Sequence, residues 1–501
     1  MHLTLSTLFD SAASSHPALV VPEGPHVSYG TLRTNLHAVA DGLAAYGIRR
    51  GDRVAIVLPQ GPEAIVTILG AGVAATAAPL NPSFTEDEFR FYFDDVSARA
   101  LVVPAHGAEA ARAAWPAERP LIEAALDPSG DLRLTSATPS QAGQTATQPS
   151  PDDIALILHS SGTTGRPKRV PIRHRNLLAS AHNIVRTYAL VPSDVTLCVM
   201  PLFHIHGLVA SVLATLASGG TVAIPGRFNP LGFRRLVKTQ QATWYTAVPS
   251  IHQMVVARSA ETESVARDGQ TLRFIRSSSA ALPRTTLVQL EESLGIPMLE
   301  AYGMTEASHQ VASNALPPGV RKAGSVGRGV GVGIGVVDEA GALLTNGGSG
   351  EIVIQGPNVI DGYDSNPEAN AAAFTRDGWF RTGDLGVIDT VGYLTLVGRL
   401  KEMINRGGEK IAPHEVDEVL LQHPAVAEAV CFGAPHPIWG EEVQAVVVLR
   451  GEASERQLIR HCQDHLAEFK IPKRLHFVQA IPRGATGKVQ RNRIRALMGL
   501  E

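Results

Sequence analysis

Apolar runs of strand length alternate with stretches of helical spacing along most of this chain. Thr7 to Ala13 predicts a first helix, and Tyr29 to Tyr46 carries apolar residues at helical spacing. Val54 to Leu58 and Leu101 to Val103 predict buried strands, and Ala64 to Leu80 predicts a buried helix that continues into a buried strand. Such alternation indicates α/β layers around a mainly parallel sheet. We therefore expect an α/β fold whose large N-terminal domain consists of layered α/β subdomains.

Two later regions depart from this alternation. Val332 to Val353 predicts antiparallel strands of a small sheet or barrel, and the glycines before it lack the spacing of a dinucleotide-binding loop. After Gly398 the pattern becomes βαβ-like, on the scale of one small domain. At 501 residues the chain is too long for a single core. We predict an N-terminal domain over 1–398 and a small, mobile α+β C-terminal domain over 399–501.

The composition is that of an ordinary globular protein, with 44% hydrophobic and 18% charged residues. A net charge of −3 gives no reason to expect nucleic acid or an anionic membrane as a partner. The three cysteines lie far apart, which argues against a disulfide framework and fits a reducing compartment. The first residues lack the basic and apolar regions of a secretory signal, so we expect a cytoplasmic protein.

The stretch Ser160–Lys168 combines hydroxyl side chains, glycines and a terminal lysine, directly after an apolar run that predicts a strand. Glycines let a backbone turn its N–H groups toward an anion, hydroxyls add donors, and lysine adds a point charge suited to phosphate. The spacing is not that of a Walker A loop. A solvated surface turn is the alternative, and the density of hydroxyls argues against it. The predicted phosphate-binding residues are Ser160, Ser161, Gly162, Thr163, Thr164 and Lys168.

Two further stretches hold polar groups that a fold alone does not require. Glu300–Glu306 follows an apolar run, and residues at the end of such a strand lie at the carboxyl edge of a parallel sheet, where ligands bind. A carboxylate there can hold Mg²⁺ against phosphate oxygens, although a helix N-cap at Thr305 is an alternative. Asp384, within Arg381–Gly386, can accept both hydrogens of a ribose diol or can form an Asx-turn.

Glycines also flank charged residues at the predicted boundary and near the end of the chain. Gly398–Glu402 and Gly407–Lys410 lie beside the boundary, where glycine-flanked polar residues suit a hinge. Pro482–Lys488 is a glycine-rich loop that ends in lysine, and a mobile loop of this kind can deliver a charge into a site elsewhere. The chain thus offers five candidate functional stretches.

Together these five stretches resemble the adenylate-forming superfamily, which includes acyl-CoA synthetases, 4-coumarate-CoA ligases, luciferases and peptide-synthetase adenylation domains. The likeness covers nearly the whole chain, in the order and spacing of the superfamily. It implies that Ser160–Lys168 is the phosphate loop and that Tyr302–Glu306 is the adenine and magnesium motif. Arg169 stands where the superfamily usually has glycine, and we expect it to be tolerated at the loop's exit. The other implied nucleotide and coenzyme residues are Glu300, Ala301, Tyr302, Thr305, Asp384, Arg399, Gly407 and Gly408.

The resemblance also implies a reaction in two steps. A carboxylate attacks the α-phosphorus of ATP to give an acyl-adenylate and pyrophosphate, and the thiolate of coenzyme A then attacks the acyl carbon. The first transition state gathers negative charge, so preorganised cations are needed. The implied catalytic residues are Lys488, Thr305 and Glu306, and Glu306 is also the implied ligand of Mg²⁺. The C-terminal domain is implied to rotate about a hinge at Lys401, which lets the Gly407–Gly408 turn help to admit coenzyme A.

The predicted acyl pocket is more polar than is usual in that superfamily. His204 and His206 lie where the superfamily gates its substrate, Ser279 ends a run of three serines, and His309 follows the adenine motif. Packing roles for the histidines are the alternative. A dianion such as oxalate needs hydrogen bonds at its second carboxylate, whereas an acyl chain does not. The segment Glu300–Gln310 looks particularly like that of oxalate-CoA ligases. This resemblance implies oxalate as the acid, bound by His204 or His206, by Ser279 and by His309.

Other functions stay open at this point. A medium-chain or aryl acyl-CoA synthetase shares the five stretches, and so does a luciferase-like oxygenase. A non-catalytic nucleotide-binding module does not need both Glu306 and Lys488. A peptide-synthetase adenylation module is usually joined to a carrier domain, and we expect none in this chain.

Overall fold

The computed structural model describes residues 4–141, 143–160, 167–226, 228–259, 271–338, 340–344 and 348–483, and the single positions 489, 491, 494 and 496. Its strands, numbered in chain order, are β1 (Pro17–Val20), β2 (His26–Ser28), β3 (Arg53–Ile56), β4 (Thr76–Pro79), β5 (Ala100–Pro104), β6 (Leu121–Leu126), β7 (Leu132–Thr135), β8 (Ile154–Ser160), β9 (Lys168–Arg173), β10 (Val195–Leu197), β11 (Thr221–Ala223), β12 (Trp244–Ala247), β13 (Phe274–Ser277), β14 (Met298–Met304), β15 (His309–Ser313), β16 (Arg328–Gly329), β17 (Gly333–Val337), β18 (Gly348–Gln355), β19 (Phe380–Ile388), β20 (Leu394–Arg399), β21 (Ile404–Arg406), β22 (Glu409–Ile411), β23 (Val426–His436), β24 (Gly440–Leu449) and β25 (Arg474–Phe477).

The helices are α1 (Tyr29–Ala45), α2 (Pro62–Ala74), α3 (Glu86–Asp95), α4 (Glu109–Ala114), α5 (His174–Tyr188), α6 (Ala214–Ala217), α7 (Phe233–Thr239), α8 (Pro249–Ser259), α9 (Arg284–Leu294), α10 (Pro367–Ala373), α11 (Pro413–Gln422) and α12 (Glu455–His465).

Seven of the described strands form a sheet in the order β7-β6-β5-β3-β4-β8-β9. Its central strands are parallel, whereas β7 and β9 pair antiparallel at the two edges. Helix α2 is buried along almost its whole length and leads into β4, which is the arrangement that the apolar run Ala64 to Leu80 predicts. The edge pair β8 and β9 flanks the predicted phosphate loop.

A second sheet contains nine of the described strands in the order β16-β15-β14-β13-β12-β10-β11-β1-β2. The strands from β1 to β14 in this order are parallel, and β2, β15 and β16 add antiparallel edges. Thr246 lies opposite Arg276 in the register of β12 and β13, and Ser277 lies opposite Glu300 in that of β13 and β14. Three strand ends that are distant in sequence therefore meet at one edge of the sheet.

Two smaller sheets follow along the chain. Strands β17 to β20 form an antiparallel sheet in sequence order, and β21 to β25 form a mixed sheet that shares a core with α11 and α12. The chain leaves the first of these sheets at Arg399 and enters the second at Ile404. This passage lies beside the boundary predicted after residue 398, and the division into two domains stays a prediction.

One predicted element is wrong. Thr7 to Ala13 does not form a helix, because a 3-10 turn over Leu5–Thr7 and irregular turns already bring Leu8 and Phe9 into the core. The βαβ-like pattern predicted for the C-terminal region is found in β24, α12 and β25, whose two strands are parallel. Strands β23 and β24 form an antiparallel hairpin, since the three residues that separate them are too few for a crossover helix.

The predicted fold class is confirmed: parallel α/β layers are followed by a small antiparallel sheet and by an α+β region. Among the described residues, no helix has the length and apolar character that crossing a bilayer requires.

Candidate active site

The predicted phosphate loop is held at both ends by an antiparallel strand pair. Ser160 ends β8, Lys168 begins β9, and the two residues are register partners. Both are half-buried. The pairing therefore brings the start and the end of the loop together at one edge of the seven-stranded sheet. Four of the predicted phosphate-binding residues lie outside the described residues: Ser161, Gly162, Thr163 and Thr164.

Lys168 is linked to Glu306 through Tyr363. The Lys168 Nζ lies 4.4 Å from the centroid of the Tyr363 ring, and the Tyr363 hydroxyl donates to Glu306 Oε1 at 3.0 Å. Burial and the Glu306 carboxylate raise the pKa of Tyr363, so its hydroxyl keeps its proton and remains a donor. One oxygen of the buried Glu306 is thus occupied, and its other oxygen has no hydrogen-bond partner among the described residues.

Glu306 lies in a single 3-10 turn, Thr305–Ala307, that joins β14 to β15. Strand β15 begins at His309, so no helix follows the turn, and the helix N-cap alternative for Thr305 is wrong. The Thr305 side chain is half-buried, and its carbonyl accepts from the Ser308 N–H. A tight turn at a strand end therefore sets the position of two of the three predicted catalytic residues, Thr305 and Glu306.

Glu300 and Ala301 lie in β14, and both are buried. Glu300 Oε2 accepts from the Gly324 N–H at 3.0 Å. Burial, and to a smaller extent the nearby Glu418 and Glu291 carboxylates, raise the pKa of Glu300 to about 7. The carboxyl of Glu300 therefore changes its charge near neutral pH.

Strands β14, β19 and β20 bring Tyr302, Asp384 and Arg399 together. The Tyr302 hydroxyl donates to Asp384 Oδ2 at 2.5 Å, and Arg399 Nε lies 2.9 Å from Asp384 Oδ1. Asp384 is buried within β19 rather than in a turn, so the Asx-turn alternative is wrong. Burial and the Asp384 carboxylate raise the pKa of Tyr302, while Asp384 also raises the pKa of Arg399. Both oxygens of this carboxylate thus have a fixed donor.

Sequence reasoning missed a buried arginine near the end of β13. Arg276 is fully buried, and among the described residues no carboxylate contacts its guanidinium. Its Nε donates to the Tyr188 hydroxyl at 2.8 Å, and its Nη2 donates to Gln310 Oε1 at 3.2 Å. A guanidinium is always charged, so this wall of the site carries a positive charge that is surrounded by neutral acceptors. The sequence feature that could have revealed this residue is the presence of an arginine within Phe274–Ser277, a short run that otherwise predicts a buried strand.

Three of the four predicted substrate residues converge beside Arg276. His206 Nδ1 lies 3.0 Å from Ser279 Oγ, and His206 Nε2 lies 2.7 Å from Thr246 Oγ1. The His206 and His309 rings stack with their centroids 4.9 Å apart. Arg276 donates from Nη1 to Thr246 Oγ1 and from Nη2 to His309 Nε2, both at 2.9 Å. We name His206, Thr246, Arg276, Ser279 and His309 the imidazole cluster.

The backbone around this cluster is unusual. Ser279 and His309 have φ angles of +75° and +100°, in the left-handed region. Such conformations cost about 1–3 kcal/mol in a residue other than glycine and are concentrated at functional sites. His206 begins a π-helical segment, His206–Leu213, and such segments are also frequent at functional sites.

His204, the other predicted gate histidine, is half-buried and packs its ring against Phe203, with ring centroids 4.5 Å apart. The direct contacts with Ser279 and His309 are made by His206. The geometry of the cluster therefore favours His206 over His204 as the partner of these two side chains.

The predicted coenzyme A and hinge residues lie near the mixed sheet. Gly407 and Gly408 form the turn between β21 and β22, with φ angles of +61° and +96°. Lys401 is exposed in the 3-10 turn Leu400–Glu402, where the chain leaves the small antiparallel sheet. Lys488 lies outside the described residues.

Arg169, the departure from the superfamily pattern, is anchored beside the phosphate loop. Its Nε lies 2.8 Å from Asp364 Oδ2, and its Nη1 lies 2.9 Å from Asp95 Oδ1. Asp364 also pairs with Arg53, and Asp95 with His159, each at 3.0 Å. The arginine bridges two carboxylates and so fixes the exit of the loop.

Comparisons with known proteins identify the family of this chain. The model of the AMP-binding enzyme family matches residues 9–364, and that of the AMP-binding enzyme C-terminal domain matches residues 415–488. An oxalate–CoA ligase of Arabidopsis thaliana is 45% identical over 505 residues, which cover 97% of each chain. A sulfoacetate–CoA ligase of Cupriavidus necator is 38% identical, with 95% of this chain and 93% of that protein covered. The crystal structure of ATP-bound MatB from Rhodopseudomonas palustris has a TM-score of 0.88 at 32% identity, over 99% of both chains. The chain therefore belongs to the AMP-binding enzyme family.

Proposed function

We propose that this chain converts oxalate, ATP and coenzyme A to oxalyl-CoA, AMP and diphosphate. Its similarity to CoA ligases over nearly its full length makes it an ATP-dependent acid–thiol ligase, with Mg²⁺ as cofactor. Our proposal beyond this similarity is that the acid is oxalate.

The imidazole cluster is the observation that carries this proposal. An apolar acyl chain against the cluster offers no acceptor to the Ser279 hydroxyl, which costs about 1–3 kcal/mol. The second carboxylate of a small dianion accepts a hydrogen bond from Ser279 and is attracted by the charge of Arg276, while His206 and His309 line the pocket beside it. His204 remains the other candidate contact. Relatives named for oxalate and sulfoacetate, both small acids with a second anionic group, support the same assignment.

We assign the nucleotide to the residues around Lys168 and Asp384. The hydroxyl and glycine loop and Lys168 hold the β- and γ-phosphates, while Asp384 and Arg399 hold the ribose. Glu300, Ala301, Tyr302 and Thr305 contact the adenine end or the α-phosphate.

Glu306 fits a magnesium ligand. Mg²⁺ is usually held by one or two carboxylates together with substrate phosphates, and Tyr363 fixes one Glu306 oxygen while leaving the other available. Bound Mg²⁺ would supply electrostatic stabilisation of the phosphate charge. The chain's own contribution is to hold this carboxylate beside the lysine of the phosphate loop.

We assign the alternation between the two half-reactions to the region after residue 398. Lys488 bridges the acid and the α-phosphate during adenylation, and a rotation at Lys401 then removes it. The Gly407–Gly408 turn faces the site in the second step, where glycines allow close approach of coenzyme A.

Release of diphosphate over a panel of acids tests the proposal. We expect kcat/KM for oxalate to exceed that for acetate, benzoate and octanoate by about 100-fold or more, because a site that hydrogen-bonds its substrate rejects analogues that lack the partner. Malonate and sulfoacetate should give intermediate values. Faster turnover of octanoate or benzoate than of oxalate contradicts the proposal, and a lack of exchange of labelled pyrophosphate into ATP with every acid favours a non-catalytic module.

We also place the reaction in the cytoplasm. Cys198, Cys431 and Cys462 are free and buried, as expected in a reducing compartment. Fractionation of the source cells checks this location, and recovery of the protein in an oxidising compartment contradicts it.

A further inference from the structure

We propose that Arg276 is a positioning residue that sets the direction of the hydrogen bonds in the imidazole cluster, so that the Ser279 hydroxyl presents its hydrogen to the acid. The inference rests on the proposed function for the identity of that acid. The directions themselves follow from the chemistry of the side chains.

The first link runs from Arg276 through Thr246 to His206. A guanidinium has five N–H donors and no acceptor, so Thr246 Oγ1 must accept from Arg276 Nη1 at 2.9 Å. Among the described residues, His206 Nε2, at 2.7 Å, is the acceptor available to the hydrogen of the Thr246 hydroxyl. Arg276 Nη1 itself lies 3.5 Å from the same nitrogen, which disfavours a proton there. His206 Nε2 is therefore an acceptor.

The second link runs from His206 to Ser279. A neutral imidazole that accepts at Nε2 carries its proton on Nδ1. His206 Nδ1 therefore donates to Ser279 Oγ at 3.0 Å. Because Ser279 accepts this bond, the hydrogen of its own hydroxyl points away from His206 and remains for an anionic ligand.

The third link runs from Arg276 to His309. Arg276 Nη2 donates to His309 Nε2 at 2.9 Å, so His309 also carries its proton on Nδ1. The two stacked rings are thus both neutral beside a fixed positive charge. The pocket combines an oriented hydroxyl donor, that of Ser279, with one buried cation, which is a preorganised site for a carboxylate.

A purely structural role for Arg276 gives different results. The guanidinium also connects β13 to Tyr188 and Gln310 through hydrogen bonds. If these bonds have only a structural role, their loss lowers the stability of the fold and lowers kcat/KM for all acids equally. If Arg276 has a positioning role, its loss instead changes the ratio of kcat/KM between an acid with a second carboxylate and an acid without one.

The kinetic test compares oxalate with acetate in the full chain. We expect Arg276→Met to lower kcat/KM for oxalate about 100-fold or more, mainly by raising KM. The decrease in kcat/KM for acetate should be smaller than that for oxalate by a factor of at least about 10. Thr246→Val keeps the shape of the side chain and the arginine, and it should lower the ratio of oxalate to acetate by about 10-fold. Thr246→Ser restores the hydroxyl and should return the ratio to within about 3-fold of the wild type. The control Arg273→Gln, three residues away on the same segment, should leave the ratio unchanged.

The spectroscopic test does not depend on turnover. In protein labelled with ¹⁵N-histidine, the ring nitrogen shifts distinguish the two tautomers, and His206→Asn and His309→Asn identify the two sets of signals. We expect the Nδ1–H tautomer for both rings in the wild type and loss of that tautomer at His206 in Thr246→Val. An Nε2–H tautomer or an imidazolium at either ring in the wild type overturns the inference.

The two proposals fail separately. A wild type that does not prefer oxalate to acetate contradicts the proposed function, and the tautomers then decide the hydrogen-bond directions alone. A wild type that prefers oxalate, with Arg276→Met and Thr246→Val slowing both acids equally, overturns the positioning role and leaves the proposed function intact. If Arg276→Met does not fold, Thr246→Val and the spectra of the wild type still decide.

Discussion

At the scale of single residues, Glu300 makes the stability of the fold depend on pH. Its folded pKa of about 7 lies above its ordinary value of 4.5, because the side chain is buried. The folded protein therefore keeps a proton that the unfolded chain loses as pH rises between these two values. Stability contributed by the protonated carboxyl is thus fully present below about 4.5 and is lost as pH rises through about 7.

We predict that Glu300→Gln removes this loss, because the amide cannot ionise. The free energy of unfolding of the variant relative to the wild type should increase by up to about 3 kcal/mol as pH rises through this range. Calorimetric or urea unfolding of both proteins at a series of pH values measures the difference. The exposed Glu409→Gln is the control and should show no such trend. A difference for Glu300→Gln that does not change with pH contradicts a raised pKa.

At the scale of elements, the β21–β22 turn depends on Gly407 for two reasons. Its φ of +61° is left-handed, and a Cβ at this position would lie 2.7 Å from Cε3 of Trp439. Gly408 also has a left-handed φ, of +96°, but a Cβ there meets no atom within 4 Å. Alanine substitution at Gly408 therefore measures the cost of backbone strain alone, whereas substitution at Gly407 adds the cost of a steric clash.

We predict that Gly407→Ala destabilises the fold by about 2–4 kcal/mol and Gly408→Ala by about 1–2 kcal/mol. The extra loss at Gly407 comes from the displacement of Trp439, whose ring also lies 5.0 Å from the Arg406 guanidinium. Urea unfolding followed by tryptophan fluorescence measures both variants. Equal decreases in the free energy of unfolding of Gly407→Ala and Gly408→Ala would contradict a cost from the contact with Trp439.

At the scale of the whole molecule, two lysines from different parts of the chain are assigned different roles in adenylation. Lys168 lies beside Tyr363 at the phosphate loop, whereas the role of Lys488 rests on the resemblance of its loop. If the second half-reaction uses a rotated C-terminal domain, Lys488 is not needed there. Removal of the two lysines should therefore give different patterns of loss.

We predict that Lys168→Ala raises KM for ATP about 10–100-fold in adenylation, because one charge-assisted phosphate contact is lost. Lys488→Ala should nearly abolish adenylation and spare thioester formation from supplied acyl-adenylate. Diphosphate release and thioester formation are measured separately. Lys322→Ala is a matched control, since Lys322 Nζ also lies 4.4 Å from a tyrosine ring centroid, that of Tyr393. Equal loss of both half-reactions in folded Lys488→Ala contradicts the division of labour.

Much of the fold was predictable because its signals are local. Apolar runs such as Ala64 to Leu80 determine a buried helix and strand through their periodicity, and the structure confirms both. The one element that failed had a weaker local signal, because Thr7 to Ala13 reaches the core through turns.

The sequence by itself determined the layered α/β class and the motifs that indicate an adenylating enzyme, because glycine, hydroxyl and lysine spacing is local chemistry. The tertiary structure alone decided which side chains form the imidazole cluster. Thr246 and Arg276 are register partners near the ends of two parallel strands, and His206 and His309 reach them from the π-helical segment and from the antiparallel strand β15. Only their assembled contacts give the hydrogen bonds a direction, since Arg276 is the obligatory donor from which the others follow.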